Sequence, residues 1–283
     1  MNISLNTDFN GANGDPAPAL HEIAKAGFTH LHWCHQWNTD HLYADAEIAK
    51  IAGQLKAEGL KLLDIHGSDG SGGVFQWASP DETYRRLGVE LFLNRLRLFA
   101  MLKGEGALMM HVPFYHDGQT EAQRAATAKR VDAICRTLDE VVPVCQALGI
   151  RLALENMAGD NFEVLSKLFR MYPADIVGLC YDSGHGNIRD AKGEFHGLEH
   201  LEEHLDRLMA LHLNDNDGSG DQHMPPFYGT VDWVRVARDI RHSAYSRMLS
   251  FELSLRNTPF RDDPSAFCAD AHERCERVCG LPS

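Results

Sequence analysis

The sequence has no run of about eighteen apolar residues, the least that spans a bilayer as a helix, so no transmembrane helix is expected. Nor does its start, MNISLNTDFNG, place a basic stretch ahead of an apolar core. No secretory leader is therefore expected, and the protein is read as cytoplasmic. Basic residues are in short supply: 27 Lys and Arg stand against 40 Asp and Glu, a formal net charge of −13. Such a surface repels polyanions. The cations are scattered, as at Arg95, Arg97, Arg235 and Arg238, so nucleic acid is not an expected partner. Cysteine is sparse and odd in number: Cys34, Cys135, Cys145, Cys180, Cys268, Cys275 and Cys279. Reduced thiols are expected in place of a disulfide framework. Cys268, Cys275 and Cys279 share one C-terminal helical stretch, where a buried seam of small residues is preferred to a metal cluster.

What is present is the composition of a globular protein, 44% hydrophobic and 24% charged over 283 residues, a length that suits one large α/β barrel. Short apolar strands alternate with amphipathic helices from end to end. Strands are expected at 3–6, 29–33, 61–66, 107–111, 150–155, 176–182, 208–213 and 248–253. Helices are expected from Asp15-Pro16 to Gly27, from about Asp40 to Glu58, from Ser79-Pro80-Asp81-Glu82 with Ser79 as cap, from about Thr120 to Gly149, and over 264–279. KAGF, KAEGL and QALGI each put a glycine between a helix end and the next strand, as a left-handed C-cap requires. Eight such units imply a parallel sheet covered on both faces. Closing it gives a single-domain (β/α)8 TIM barrel over 1–283. A doubly wound open sheet is the alternative, but no Gly-x-Gly-x-x-Gly follows the first strand.

The stretch LHLNDNDGSGDQHMPPFYGTVDW, from Leu211 to Trp233, holds a long loop rich in aspartate with two histidines. Loops of that length in compact proteins are usually functional or disordered. Asp221 and His223, spaced Asp-x-His, would share one face of an extended backbone and suit one divalent metal, against the plainer reading of a solvated turn. The strand ends are the larger signal. They carry His66, His111, Glu155, Asp182, His212 and Glu252, and in a barrel all these ends face one mouth. A lone histidine there could be a satisfied core residue. A carboxylate closing an apolar strand is costly unless paired or metal-bound. His185, in DSGH, adds a further ligand type from a loop. Imidazole and carboxylate without thiolate suit Zn, Mn, Co, Fe or Mg and do not choose among them.

LEN, then D-x-x-H, then HLND with a later D-x-H, then FE, resembles the xylose-isomerase-like barrel superfamily. That group includes endonuclease IV and the sugar isomerases and epimerases related to tagatose epimerase and inosose dehydratase. The resemblance implies one divalent metal held by Glu155, Asp182, His212 and Glu252. It also implies an isomerase or epimerase of a sugar-like keto or polyol substrate, working through a metal-stabilised enediolate with Glu155 and Glu252 as acid and base, in carbohydrate metabolism. His66, His111, His185, Asp221 and His223 would then bind substrate or secondary metal. The same nine residues match the trinuclear zinc set of the endonuclease, so a phosphodiesterase is the second reading, and a dehydratase or lyase a third. Two positions depart from tagatose-type epimerases, Gly218 for an Arg and Asn161 for a second Glu, and Asp-Gln-His departs from the endonuclease's Asp-Arg-His. Trp33, Phe75 or Trp77 would wall the pocket. The small molecule is the expected partner, and self-association into a homo-oligomer is left open.

Overall fold

The computed structural model describes residues 3–73, 75–113, 120–158, 162–189, 193–194 and 197–282. Its strands are β1 (Ile3–Asn6), β2 (His30–Trp33), β3 (Lys61–His66), β4 (Ala107–His111), β5 (Arg151–Glu155), β6 (Val177–Asp182), β7 (Leu208–His212) and β8 (Leu249–Phe251). The intervening helices are α1 (Ala17–Lys25), α2 (Asp45–Glu58), α3 (Glu82–Met101), α4 (Glu121–Leu148), α5 (Phe162–Met171), α6 (Ser183–Asn187), α7 (Gly197–Glu203), α8 (Trp233–His242) and α9 (Pro264–Cys279). The eight strands pair in parallel in the order β7-β6-β5-β4-β3-β2-β1-β8. Leu213 closes the ring, donating from its N–H to Ser250 O (3.0 Å) while its carbonyl accepts from Glu252 N (3.1 Å). The fold is a TIM barrel, as the alternation of strands and helices implied.

Side-chain alternation builds its two layers. Leu152 and Leu154 of β5 point out and join the large apolar cluster under the helices, with Leu108, Met110, Leu179, Ile134 and Leu138. Ala107, Met109, Ala153, Cys180, Met209 and Ala210 form a separate cluster of small and flexible side chains. They face the barrel interior, where eight strands leave room for little more. Two residues further along each strand, that inward row ends in a polar group: His111 after Met109, Glu155 after Ala153, Asp182 after Cys180, His212 after Ala210. All four of these sit at the mouth because the period of a strand is two.

Helix ends follow the local chemistry. Thr120 caps α4 in a reciprocal box with Gln123, and Gly59 and Gly149 close α2 and α4 at φ of 70° and 66°. Two boundaries differ from expectation. α2 begins at Asp45, because the 40–44 segment is spent on loop contacts, such as the Asp40 carboxylate accepting from Ser71 N and Gln76 Nε2. α3 is capped by Asp81, whose carboxylate accepts from Thr83 N (2.8 Å), and not by Ser79. Cys268 and Cys275 are buried in the seam of α9, and all seven cysteines are free. Among the described residues, no helix is long and apolar enough to cross a membrane.

Candidate functional site

The mouth opens into a cavity of about 540 Å³ whose lining includes His66, His111, His185, Asp221, His223 and Glu252. Beneath it, one donor atom each from Glu155, Asp182, His212 and Glu252 lie within 4.8 Å of one another. His212 is the hub: its Nδ1 is 3.1 Å from Glu155 Oε2 and 3.0 Å from Glu252 Oε2. Both its ring nitrogens are buried without an aligned hydrogen bond among the described residues. Donors that crowd a common point without pointing at each other are the arrangement of ligands around a cation. Separations near 3 Å are what ligand atoms about 2.0–2.2 Å from one ion adopt. The residues present fit a divalent metal.

Asp182 is held by hydrogen bonds to both carboxylate oxygens and to its backbone. Its Oδ1 accepts from His185 N (2.6 Å), so it caps α6. Its Oδ2 accepts from Asn214 Nδ2 (2.8 Å). Asn156, the Asn of LEN, brackets it on the backbone, accepting from Asp182 N (2.7 Å) and donating to Asp182 O (2.9 Å). Gly184 is required at its position, because a Cβ there would overlap Asn214 Oδ1.

The charges are strongly coupled. Burial pushes Glu155 and Glu252 up, but His212, with His111 beside Glu155 and His223 beside Glu252, outweighs it and draws both below the usual carboxylate range. Burial opposes charge on His212, yet the Cys180 sulfur and the two glutamates hold it well above the usual histidine value. Asp182 goes the other way, raised to about 6 chiefly by burial. Desolvation is thus outweighed at both glutamates and prevails at Asp182. The buried histidine between the glutamates is the reason.

On the β3–β4 side the histidines satisfy one another. His66 Nδ1 is 2.7 Å from Gly67 O, which leaves its Nε2 bare and 3.2 Å from His111 Nε2. His111 Nδ1 lies 2.6 Å from Asp69 Oδ2. Carrying protons on both nitrogens, His111 serves both neighbours. Burial works against that charge, but Asp69 and Glu155 raise it to about 8, while burial and His111 lower His66 to about 4.

The long β7–α8 loop is ordered by Asp215, whose carboxylate accepts from Phe227 N (2.8 Å), Val231 N (3.0 Å) and Trp233 Nε1 (2.9 Å). It delivers Asp221 and His223, 2.9 Å apart, with His185 Nε2 3.5 Å from Asp221. The pair meets on a turn and not along an extended strand, since His223 has a φ of 47°. Burial opposes it, but Asp221 raises His223 to about 10. Gly218, at a φ of 85°, puts no side chain into the site, and Asn161 lies outside the described residues. Trp33 and Trp77 are fully buried away from the cavity. The aromatic wall is Trp37 with Phe75.

Strand-end reasoning passes over several residues. His32, one residue short of the end of β2, is fully buried with its ring centroid 4.4 Å from that of His212. Burial and His212 keep it neutral. The spacing of His30 and His32 in THLHW, on one face of a strand, is the signal that could have found it. Asp8, Asp69 and Trp37 come from the loops after β1, β3 and β2, where no periodicity marks them.

A family model described as xylose isomerase-like TIM barrel matches residues 20–269. The uncharacterized protein y4fM of Sinorhizobium fredii is 32% identical over 254 residues, 83% of this chain and 79% of its own. A probable endonuclease 4 of Acholeplasma laidlawii is 23% identical over 224 residues, 72% of this chain and 71% of its own. Among solved structures, a D-tagatose 3-epimerase-like protein superposes with a TM-score of 0.72 at 18% identity, covering 99% of this chain and 100% of that one. The IolI protein with a bound zinc atom superposes with a TM-score of 0.68 at 15% identity, covering 99% and 96%. At such identities the two structures share its fold.

Proposed function

The chain belongs to the xylose isomerase-like TIM barrel family, and from that premise we propose that it is a divalent-metal-dependent isomerase or epimerase of a small polyhydroxylated carbonyl compound. One observation carries the reading: Glu155, Asp182, His212 and Glu252 converge from the ends of β5, β6, β7 and β8 around one point under the cavity. Those four would hold the ion. When bound there, a divalent ion supplies Lewis-acid stabilisation of the negative charge that develops on a carbonyl oxygen as the neighbouring C–H proton leaves. The zinc in the IolI structure, which shares this fold, supports the reading of a metal-binding barrel.

Glu155 and Glu252 come from strands that lie on either side of β7 in the barrel, and both reach Nδ1 of His212. Held ionised, each can accept a proton at its Oε atoms. A base on either face of a planar carbon would serve epimerisation, one taking the proton and the other returning it, whereas a 1,2-proton transfer would need only one of them, serving both carbons. His185 and His223, at the cavity wall, would hydrogen-bond substrate oxygens.

Phosphodiester hydrolysis has one specific observation in its favour. His66, His111 and Glu155 gather into a second candidate group, and His185, Asp221 and His223 into a third. Against it stand the charge of −13 and the β3–β4 histidines, already satisfied by Gly67, Asp69 and each other. A dehydratase or lyase shares the proton abstraction and differs in what leaves next.

The test is a screen of ketoses, inososes and keto acids for exchange of the α-hydrogen with solvent deuterium. Exchange by the metal-loaded protein, lost in Glu252→Gln, is the expected result. Incision of abasic duplex DNA that His223→Ala abolishes, with no exchange on any of these compounds, would replace this reading with the hydrolase.

A further inference from the structure

The cavity is larger than the carbonyl and hydroxyl that the metal-ligating end would engage, and its wall on the β1–β2 side is built from residues the chemistry above does not use. Asp8 and Trp37 both line it. The Asp8 carboxylate accepts from Asn6 Nδ2 (2.7 Å) on one oxygen and from Trp37 Nε1 (3.2 Å) on the other. An ionised carboxylate offers about four acceptor sites, so capacity remains beyond these two donors. Asn38 follows Trp37 in the chain and lines the same cavity. Its Oδ1 is buried with no hydrogen-bond partner among the described residues. A buried acceptor left unmet costs about 1–3 kcal/mol. Trp37 lies over His66, ring centroids 4.9 Å apart, leaving an aromatic wall for an apolar C–H face.

We infer that Asp8, Trp37 and Asn38 form a subsite for the uncharged, hydroxyl-bearing far end of the substrate, so that the cavity takes a free polyhydroxy ketone in preference to its phosphate ester. The inference rests on the proposed function, which places the reacting end against His212. Both polar groups of the subsite call for hydrogen-bond donors. Hydroxyls supply them. A phosphate brings acceptors and negative charge, and beside the Asp8 carboxylate like charges repel. The opposing feature is Arg256, exposed on the rim of the cavity, which would favour an anion.

Calorimetric titration of the zinc-loaded protein with D-fructose, D-fructose 6-phosphate and hydroxyacetone tests this, because hydroxyacetone keeps the carbonyl and its neighbouring hydroxyl but has no far end. Wild type should bind D-fructose about tenfold or more tightly than either other compound. Asp8→Asn should weaken D-fructose by about tenfold while leaving hydroxyacetone within about twofold. Asn38→Ala, at a partly exposed position, should repeat that selective loss if Asp8→Asn does not fold. Tighter binding of the phosphate, lost in Arg256→Ala, would overturn the inference and leave the metal-ligating end intact. Equal weakening of D-fructose and hydroxyacetone would also overturn it, by making Asp8 a support of the His212 group. Failure of wild type to bind any of the three would remove the proposed function and this subsite with it.

Discussion

The two sides of the barrel mouth use the same residue types in opposite ways. On the β5–β8 side, His212 sits between two glutamates with neither ring nitrogen in an aligned hydrogen bond among the described residues. On the β3–β4 side, His66 and His111 form a chain that begins at Gly67 O and ends at Asp69. The first group is built for a charge that the chain does not itself supply. The second closes on itself with protons. Counting metal-competent residues does not separate the two; the partners of each ring nitrogen do.

The contrast is sharpest in the exchange reaction. Glu155→Gln should lose α-hydrogen exchange by about a hundredfold or more, because the amide has no proton-accepting capacity at neutral pH. It should still retain an appreciable part of its metal. His66→Ala should cost less than about tenfold in the same assay, as loss of one substrate contact does. Parity between these variants, read as deuterium wash-in by NMR, would erase the distinction between the two sides.

A smaller effect isolates the β3–β4 side. His111 is raised from 6.5 to about 8, largely through Asp69 and against burial. Its pairing therefore stabilises the fold fully below about pH 6.5 and loses that contribution as pH rises through 8. In the metal-free protein Asp69→Asn should be less stable than wild type by about 2 kcal/mol at pH 6. By pH 9 the two denaturation midpoints should converge. A gap that is constant across this range would mean that Asp69 acts through packing and not through the His111 charge. The smallest expected effect is on nucleic acid: with a net charge of −13, no measurable binding to abasic duplex is expected at about 0.15 M salt. Titration by fluorescence anisotropy checks it.

The barrel and the mouth residues could be read from the chain because both follow from period two. β3 and β4 and the last helix, α9, fall where the patterns place them, and an inward row that ends in His or a carboxylate identifies the mouth. Loops carry no such period, and there the reading fails. Trp37 replaces Trp33 and Trp77 as the cavity wall because the turn after β2 decides which indole faces inward. Asp69 and Asp8 reach the site from loops, and His32 is hidden one residue before a strand end. The direction of the glutamate shifts was not readable either. It depends on His212 lying 3.0–3.1 Å from both, a distance that only barrel closure sets.

The central claim, that one side of the mouth holds a metal and the other holds protons, is tested most directly by counting metal. Protein purified without chelator should carry about one divalent ion per chain by elemental analysis. His212→Ala should lose most of it, and His66→Ala should keep it. Three ions per chain in wild type, or full occupancy in His212→Ala, would contradict the account.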